Sequence, residues 1–206
     1  QQEYEGSFIS FEGRAYYPYL EVEHGAQLRQ LYDTRQDLAL CFDFNIAPGV
    51  AAITQERKLP NGQEGTAVIG EVYIPRNSNT PAVCRKLLQD WGNHQGKVIC
   101  YGDATGGAGG TAKVAGSDWD IVRRELKPFG DRLSIRVPKA NPRERARVNA
   151  MNARLKSGDG KVRLMVDPQH APHVVRDLEG VTLLEGGSGE IDKRADANLT
   201  HISDAL

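Results

Sequence analysis

Three aspartates end segments that have the composition of buried elements. Asp43 follows the run LALCF, Asp103 follows KVICYG, and Asp204 lies in the closing segment LTHISDAL. A carboxylate in apolar surroundings is costly to bury unless a cation or a hydrogen-bond partner compensates it. Carboxylates that converge also repel one another, so they either hold metal ions or shift their pKa values. We therefore interpret this set as a site for divalent metal ions that serves phosphodiester cleavage.

The chemistry explains why carboxylates suit such a site. Hydrolysis of a phosphodiester needs an activated water, a stabilised leaving oxygen and charge neutralisation, which two Mg²⁺ or Mn²⁺ ions about 4 Å apart supply together. Hard cations of this kind prefer oxygen ligands. The alternative interpretation is that the three aspartates only cap turns and a helix start, because Asp is common in both positions.

Two further residues belong to the same hypothesis. Glu71, in the segment VIGEVYI, is the least clear acid because its side chain can face either side of a strand. His201 precedes Asp204 by three residues, so the two share one face if the segment is helical. His201 could then orient a water or a phosphate in the site.

Composition places the chain among ordinary soluble globular proteins. A length of 206 residues suffices for one domain with a proper core. No segment has the length and apolarity of a membrane span, and the opening QQEYEGSFIS is not a signal peptide. The three cysteines lack the spacing of a metal motif, so we expect buried, reduced thiols in a cytosolic protein. The sequence therefore predicts a protein that is neither secreted nor bound to a membrane.

Basic residues are concentrated in one stretch. The net charge is only -1, but residues 136–163 contain nine basic side chains against two acidic ones. Such a stretch can bind DNA phosphates, although a solvated helix face is the alternative. An apolar stripe formed by Val148, Met151 and Leu155 indicates the buried face of a helix here. The candidate DNA-binding residues, which we expect to lie outside this stripe, are Lys139, Arg143, Arg147 and Arg154.

The element pattern must bring these residues together. Residues 38–45, 49–58 and 65–74 have the composition of strands, and Asn61-Gly62 predicts a hairpin between the second and the third. A helix is expected from Asn79-Thr80-Pro81 to Trp91. Strands and helices then alternate to the end of the chain. The further expected strands are 97–103, 132–137 and 161–167, and the further expected helices are 117–126, 141–156, 171–180 and one from about 198.

This order predicts an α/β fold. An antiparallel meander of strands 1–3, followed by parallel strands with helices on both faces, forms a mixed sheet. The order matches the ribonuclease H-like architecture, in which the first strand pairs with the second on one side and with the fourth on the other. Asp43 and Asp103 would then lie on adjacent central strands. We expect one domain over residues 1–206, with 1–35 as a wrapping segment or linker and 36–206 as the ribonuclease H-like core.

A glycine-rich stretch follows the fourth strand. Residues 107–112 fit the G-x-G-x-x-A pattern of dinucleotide-binding proteins. That pattern should form a tight turn directly after the first strand, at the N-terminus of a helix, which is not its position here. A loop beside a metal site that admits a bulky polymer fits better. The chain contains no G-x-x-x-x-G-K-[ST] motif, so we expect no ATPase in it.

Five segments in order resemble a known family. CFDFNIAPG, EVYIPRNSNT, YGDATGGAGG, NPRERARVNAMNARLKSGDGKVRLMVDP and NLTHISDAL look like the C-terminal nuclease domain of the large terminase subunit of tailed bacteriophages or a prophage. The resemblance covers nearly the whole chain. Each segment alone is moderately specific, whereas the ordered set is strong.

The resemblance implies a metal-dependent endonuclease with a ribonuclease H-like fold. It would be an endodeoxyribonuclease that cuts concatemeric double-stranded viral DNA in the cytoplasm of the infected bacterial host. The acids of the family fall on Asp43, Asp103 and Asp204, and a histidine found in some members falls on His201. The implied cofactors are two divalent cations, Mg²⁺ or Mn²⁺. The implied partners are DNA and, in the full protein, an N-terminal ATPase domain, the portal and the small terminase subunit.

Two other functions stay open on the sequence alone. One is a resolvase or a ribonuclease on the same fold, and the other is a non-catalytic module that docks DNA or the portal and keeps its acids for structural reasons.

Overall fold

The computed structural model describes residues 13–45, 47–104, 117–185, 189–194, 196 and 199–206. One mixed sheet forms its centre, with the strand order β5-β4-β1-β2-β3-β6. The strands are β1 (Leu38–Asp43), β2 (Gly49–Lys58), β3 (Glu64–Ile74), β4 (Val98–Gly102), β5 (Leu133–Ile135) and β6 (Leu164–Val166).

Strand directions confirm the predicted arrangement. β1, β2 and β3 are antiparallel to one another, whereas β4 runs parallel to β1, β5 parallel to β4, and β6 parallel to β3. The turn between β2 and β3 contains Gly62 at a φ of 82°, a conformation that glycine adopts without strain. The Leu59 amide donates across this turn to the Gln63 carbonyl at 2.8 Å. The hairpin that Asn61-Gly62 predicts is therefore present.

Six α-helices accompany the described part of the sheet. They are α1 (Glu21–His24), α2 (Thr80–Trp91), α3 (Asp118–Glu125), α4 (Glu144–Leu155), α5 (Pro172–Gly180) and α6 (His201–Ala205). α2 begins as predicted, because the Asn79 side chain accepts from the Ala82 amide at 2.8 Å. α4 begins at Glu144, three residues after the predicted Asn141. Over the described ranges, no helix combines the length and the apolarity that a membrane span requires.

Two hydrophobic clusters flank the sheet. Side chains alternate along each strand, so Leu40 and Phe42 of β1 pack in one cluster and Cys41 packs in the other. The first cluster includes residues of α2 and α3, and the second includes residues of α4, α5 and α6. Helices therefore cover both faces, as predicted. All three cysteines are buried free thiols, and burial raises the pKa of Cys41 and Cys84 to about 12.

The described part of the N-terminal segment packs on both faces of the sheet. Leu28 belongs to the cluster that contains α2, and the Tyr32 ring lies edge to face with Trp91 of α2. The Ala15 amide donates to the Val181 carbonyl at 2.8 Å, and the Ala26 amide donates to the Val166 carbonyl at 3.0 Å. Tyr19 is fully buried in the cluster that contains α4 and α5. This segment thus contributes to both hydrophobic clusters.

Candidate active site

The sheet topology brings the predicted acids to one edge. Asp43 is the last residue of β1, and Asp103 directly follows β4, whose Gly102 is paired with Phe42. The carboxyl ends of two adjacent parallel strands open at the same edge of a sheet, where ligands bind in α/β proteins. Asp43, Asp103, His201 and Asp204 all line one cavity of about 1250 Å³, which we call the site cavity.

Close packing fixes the backbone at Asp103. The Trp119 indole N–H donates to the Asp103 carbonyl at 3.1 Å, and its ring meets Phe44 edge to face, with centroids 4.8 Å apart. A Cβ at Gly102 would lie 2.7 Å from the Phe42 carbonyl oxygen, so this position requires glycine. The chain therefore leaves β4 along a path that only a residue without a side chain allows.

Asp43 is held by an asparagine and a histidine. Asn45 Nδ2 donates a short hydrogen bond to Asp43 Oδ2 and lies 3.0 Å from His201 Nδ1. His201 Nδ1 is 3.5 Å from Asp43 Oδ2. The side chains of Asp43 and His201 are 20% and 24% exposed, so both are held in place yet reach the solvent of the site cavity.

Asp103 is held by a residue that precedes α4. Asn141 Nδ2 donates to Asp103 Oδ1 at 2.5 Å, and Asn141 Oδ1 accepts from the Ala104 amide at 2.8 Å. One amide side chain thus binds both the carboxylate and the backbone that follows it. The segment that enters α4 is thereby fastened to the end of β4.

Asp204 lies in a closed set of charges, which we call the ionic ring: Glu144, Arg147, Lys193 and Asp204. Arg147 Nη1 is 3.3 Å from Asp204 Oδ1, and Lys193 Nζ is 3.3 Å from Asp204 Oδ2. Glu144 Oε2 closes the ring at 3.2 Å from Lys193 Nζ and 4.0 Å from Arg147 Nη2. Two carboxylates and two cations balance each other's charge at this end of the cavity.

The pKa shifts in the ionic ring show that burial dominates at Asp204. Burial raises the pKa of Asp204, Arg147 and Lys193 lower it in part, and Asp43 raises it further. Burial opposes the charge of Lys193, but Asp204 and Glu144 outweigh it and raise the pKa of the ammonium. Both partners shift upward because the Asp204 side chain is 16% exposed whereas that of Lys193 is 53% exposed. The two cations therefore compensate the Asp204 carboxylate only in part.

The donor set fits a hard divalent cation in its chemistry. Three carboxylates from three elements line the site cavity, and the charge of Asp43 acts on Asp204. Within the part of the chain that the structure describes, however, no three His, Cys, Asp or Glu side chains stand close enough to hold a metal ion. Each carboxylate is instead turned toward an amide or a cation. The aspartates would have to leave these partners to act as ligands together.

The basic residues predicted to bind DNA lie in two settings. Arg147 and Arg154 line the site cavity, and Arg154 Nη2 pairs with Glu56 at 3.0 Å. Lys139 and Arg143 are exposed, in the segment that leads into α4. Arg147 is only one-third exposed and faces Asp204. The glycine-rich residues 107–112 lie outside the described residues.

Glu71 contributes to a helix rather than to the cavity. Its carboxylate accepts hydrogen bonds from the amides of His173 and Val174, both at 3.0 Å, and the His173 ring Nδ1 lies 2.5 Å from it. The His173 ring stacks on Tyr73, with centroids 3.6 Å apart. Glu71 therefore caps the first turn of α5, where a negative charge is favourable.

Four site residues were not predicted from the sequence: Asn45, Glu144, Lys193 and the side chain of Asn141. Asn45 lies two residues after Asp43, and residues at this spacing share a face of an extended chain, which is a weak signal. Asn141 is 38 residues from Asp103 in the chain. Lys193 meets Asp204 and Glu144 only through the packing of α4, α6 and the loop between α5 and α6.

Comparison with known proteins identifies the fold. No protein family model matches the chain, and no curated protein matches its sequence. Among solved structures, it is similar to the nuclease domain of g2p, the large terminase of bacteriophage SPP1, in a crystal structure with bound Mn. The two are 12% identical and superpose with a TM-score of 0.50 over 82% of this chain and 85% of the other. The ribonuclease H-like fold is confirmed, and the predicted resemblance to terminase nuclease domains holds for the fold.

Proposed function

We propose that this chain is a metal-dependent endonuclease domain of a viral DNA-packaging terminase and cuts concatemeric double-stranded DNA. The observation that carries the proposal is the convergence of Asp43, Asp103 and Asp204, from three separate elements, on one cavity at the strand ends of β1 and β4. The nuclease domain of similar fold was solved with bound Mn, which agrees with such a donor set.

The three aspartates would hold two Mg²⁺ or Mn²⁺ ions. When bound, such ions activate a water, stabilise the leaving 3′-oxygen and neutralise charge on the phosphate. The sheet fixes the backbone of both residues, because Asp43 ends β1 and Asp103 directly follows β4. His201, held between Asp43 and Asn45, would orient a water or a phosphate oxygen in the cavity.

The proposed DNA contacts are made to phosphates. The cavity-lining Arg147 and Arg154, together with the exposed Lys139 and Arg143, would follow the backbone of the duplex. Contacts of this kind position DNA without reading its sequence, so we expect cutting that is largely independent of sequence.

The proposal extends to the architecture of the whole protein. Residues 36–206 would form the nuclease core, and residues 1–35 a wrapping segment that follows an ATPase domain. Hydrogen bonds of Ala15 and Ala26 with the core support the wrapping role. The further proposed partners are the portal and the small terminase subunit, in the cytoplasm of an infected bacterium and away from membranes.

Cleavage of supercoiled plasmid tests the proposal directly. We expect nicking and linearisation with Mn²⁺ or Mg²⁺, and none with EDTA. Asp43→Asn and Asp103→Asn should each abolish cutting while the protein stays folded. Asp131→Asn, at an exposed position outside the site cavity, is the matched control and should cut normally.

The alternatives predict other outcomes of the same assay. A docking module is favoured by the fact that each aspartate already has a hydrogen-bond or ionic partner. It predicts duplex binding without cutting by either metal. A resolvase or a ribonuclease on this fold predicts that branched DNA or an RNA–DNA hybrid is cut much faster than plain duplex.

A further inference from the structure

The two cations of the ionic ring are held in different ways. Arg147 lies on α4, one turn after Glu144, and its Nη1 also donates to the Asp204 main-chain carbonyl at 3.4 Å. A change in the direction of the Asp204 carboxylate would leave this main-chain contact in place. Arg147 therefore keeps a contact with α6 when the Asp204 carboxylate turns.

Lys193 has no such second anchor on α6 among the described residues. Its Nζ contacts Asp204 and Glu144 through side chains alone, and its side chain is 53% exposed. Lysine is a point charge on a flexible four-carbon stem, so its ammonium can move between acceptors. The backbone beside it is fixed, however, because the Ile191 amide donates to Glu144 Oε1 at 2.6 Å. The side chain can move while its base stays at the cavity.

We propose that Lys193 competes with a divalent cation for the Asp204 carboxylate, and that it binds a phosphate of the DNA once the cation has taken its place there. The proposal rests on the proposed nuclease function. Once Asp204 turns toward a cation, the Lys193 ammonium is left beside Glu144 at the edge of the cavity. A phosphate oxygen of the duplex is the acceptor whose charge matches it there.

The competition makes a directional prediction. Lys193→Met removes both the competing ammonium and a positive charge near the cation. We expect Mn²⁺ to bind about tenfold more tightly, because charges a few ångströms apart interact strongly at a partly buried site. The same variant should bind duplex about three- to tenfold more weakly, since one phosphate contact is lost. A side chain with a merely structural role would weaken metal binding when removed.

The experiment titrates the full chain with Mn²⁺ alone by calorimetry and then measures anisotropy of a short labelled duplex in Ca²⁺. Lys193→Arg keeps the charge and should restore both affinities nearly to wild type. Arg194→Met, which removes a charge from the exposed neighbouring residue, should leave Mn²⁺ affinity unchanged. Thermal unfolding of each variant establishes that it is folded.

The outcomes separate this proposal from the one on which it rests. Tighter Mn²⁺ binding together with weaker duplex binding in Lys193→Met supports it. Unchanged or weaker Mn²⁺ binding overturns it, and so does unchanged duplex binding, while the nuclease proposal stands in both cases. If the wild-type chain binds no Mn²⁺, the metal centre itself is refuted, and this inference is refuted with it.

Discussion

Replacing Asp177 tests whether α6 is held in place from α5. The Asp177 side chain is buried at 2% exposure, and its Oδ2 accepts a hydrogen bond from the Ser203 amide at 3.0 Å. Thr200, the residue before α6, has a φ of 80°, a left-handed conformation that β-branched residues rarely adopt. Within the described chain, its side chain caps no amide of α6. Asp177 therefore supplies, from another helix, the cap that α6 lacks.

The expected loss of stability in Asp177→Ala follows from that hydrogen bond. Asp177→Ala leaves the buried Ser203 amide without an acceptor, which costs about 1–3 kcal/mol. In a chain of this length, each kcal/mol lowers Tm by about 2–4 °C. Asp177→Asn keeps an oxygen acceptor of the same size and removes the buried charge. We therefore expect the alanine variant to be clearly less stable than the asparagine variant at neutral pH.

The pH dependence has a definite sign. Burial raises the pKa of Asp177 above its ordinary value of 3.8, although hydrogen bonds from Ser203 and Thr200 lower it in part. Because the folded pKa is raised, the contribution of Asp177 to stability is fully present below 3.8. It is lost as the pH rises through the folded pKa. Asparagine has no such loss, so the stability of Asp177→Asn relative to wild type should improve from about pH 4 to pH 7.

Urea unfolding followed by tryptophan fluorescence measures both effects. Glu179→Ala, at an exposed position of the same helix, is the control and should change stability by less than about 0.5 kcal/mol. Because α6 carries His201 and Asp204, Asp177→Ala should also weaken Mn²⁺ binding, and Asp177→Asn should largely preserve it. Equal stability of the two Asp177 variants would refute the capping argument. Unchanged Mn²⁺ affinity in Asp177→Ala would refute the positioning argument.

Two other substitutions test the framework around the site. Glu71→Ala should lower stability by about 1–3 kcal/mol, because the first amides of α5 lose a buried acceptor. Glu71→Gln should lose less stability and still cut plasmid. If Glu71→Gln stops cutting but keeps a normal urea midpoint, Glu71 serves the site. Gly65→Ala should cost about 1–3 kcal/mol, because the new Cβ would lie 2.3 Å from the Arg163 carbonyl oxygen, where β3 and β6 meet. Gly158→Ala, where nothing lies within 4 Å, is its control, and equal urea midpoints of the two variants would contradict this reasoning.

Much of the fold could be predicted because its determinants are local. The Asn61-Gly62 turn predicts a hairpin through the conformation that its glycine allows. Asn79 predicts the start of α2 because its side chain can accept from the amide three residues later. The order of strands and helices then limits the sheet to few topologies, which is why the adjacency of Asp43 and Asp103 at one sheet edge could be predicted.

The rest depends on contacts between distant segments. Period-two alternation leaves Glu71 with two possible faces, and only the packing of α5 determines that it meets two helical amides. No spacing in the chain connects Asn141 with Asp103, or Lys193 with Glu144. Helical periodicity places Arg147 off the apolar stripe, but the position of α6 determines that it faces a carboxylate rather than solvent.

The partners of the three aspartates differ in how firmly they hold a carboxylate. Asp43 and Asp103 accept from the neutral amides of Asn45 and Asn141. Asp204 is bound by two cations instead, Arg147 and Lys193. A divalent cation therefore competes with neutral donors at Asp43 and Asp103, but at Asp204 it competes with two cations that also repel it. The ion pairs on Asp204, rather than the hydrogen bonds on the strand-end aspartates, should limit the assembly of the metal site. Lys193 is therefore the more informative residue to replace.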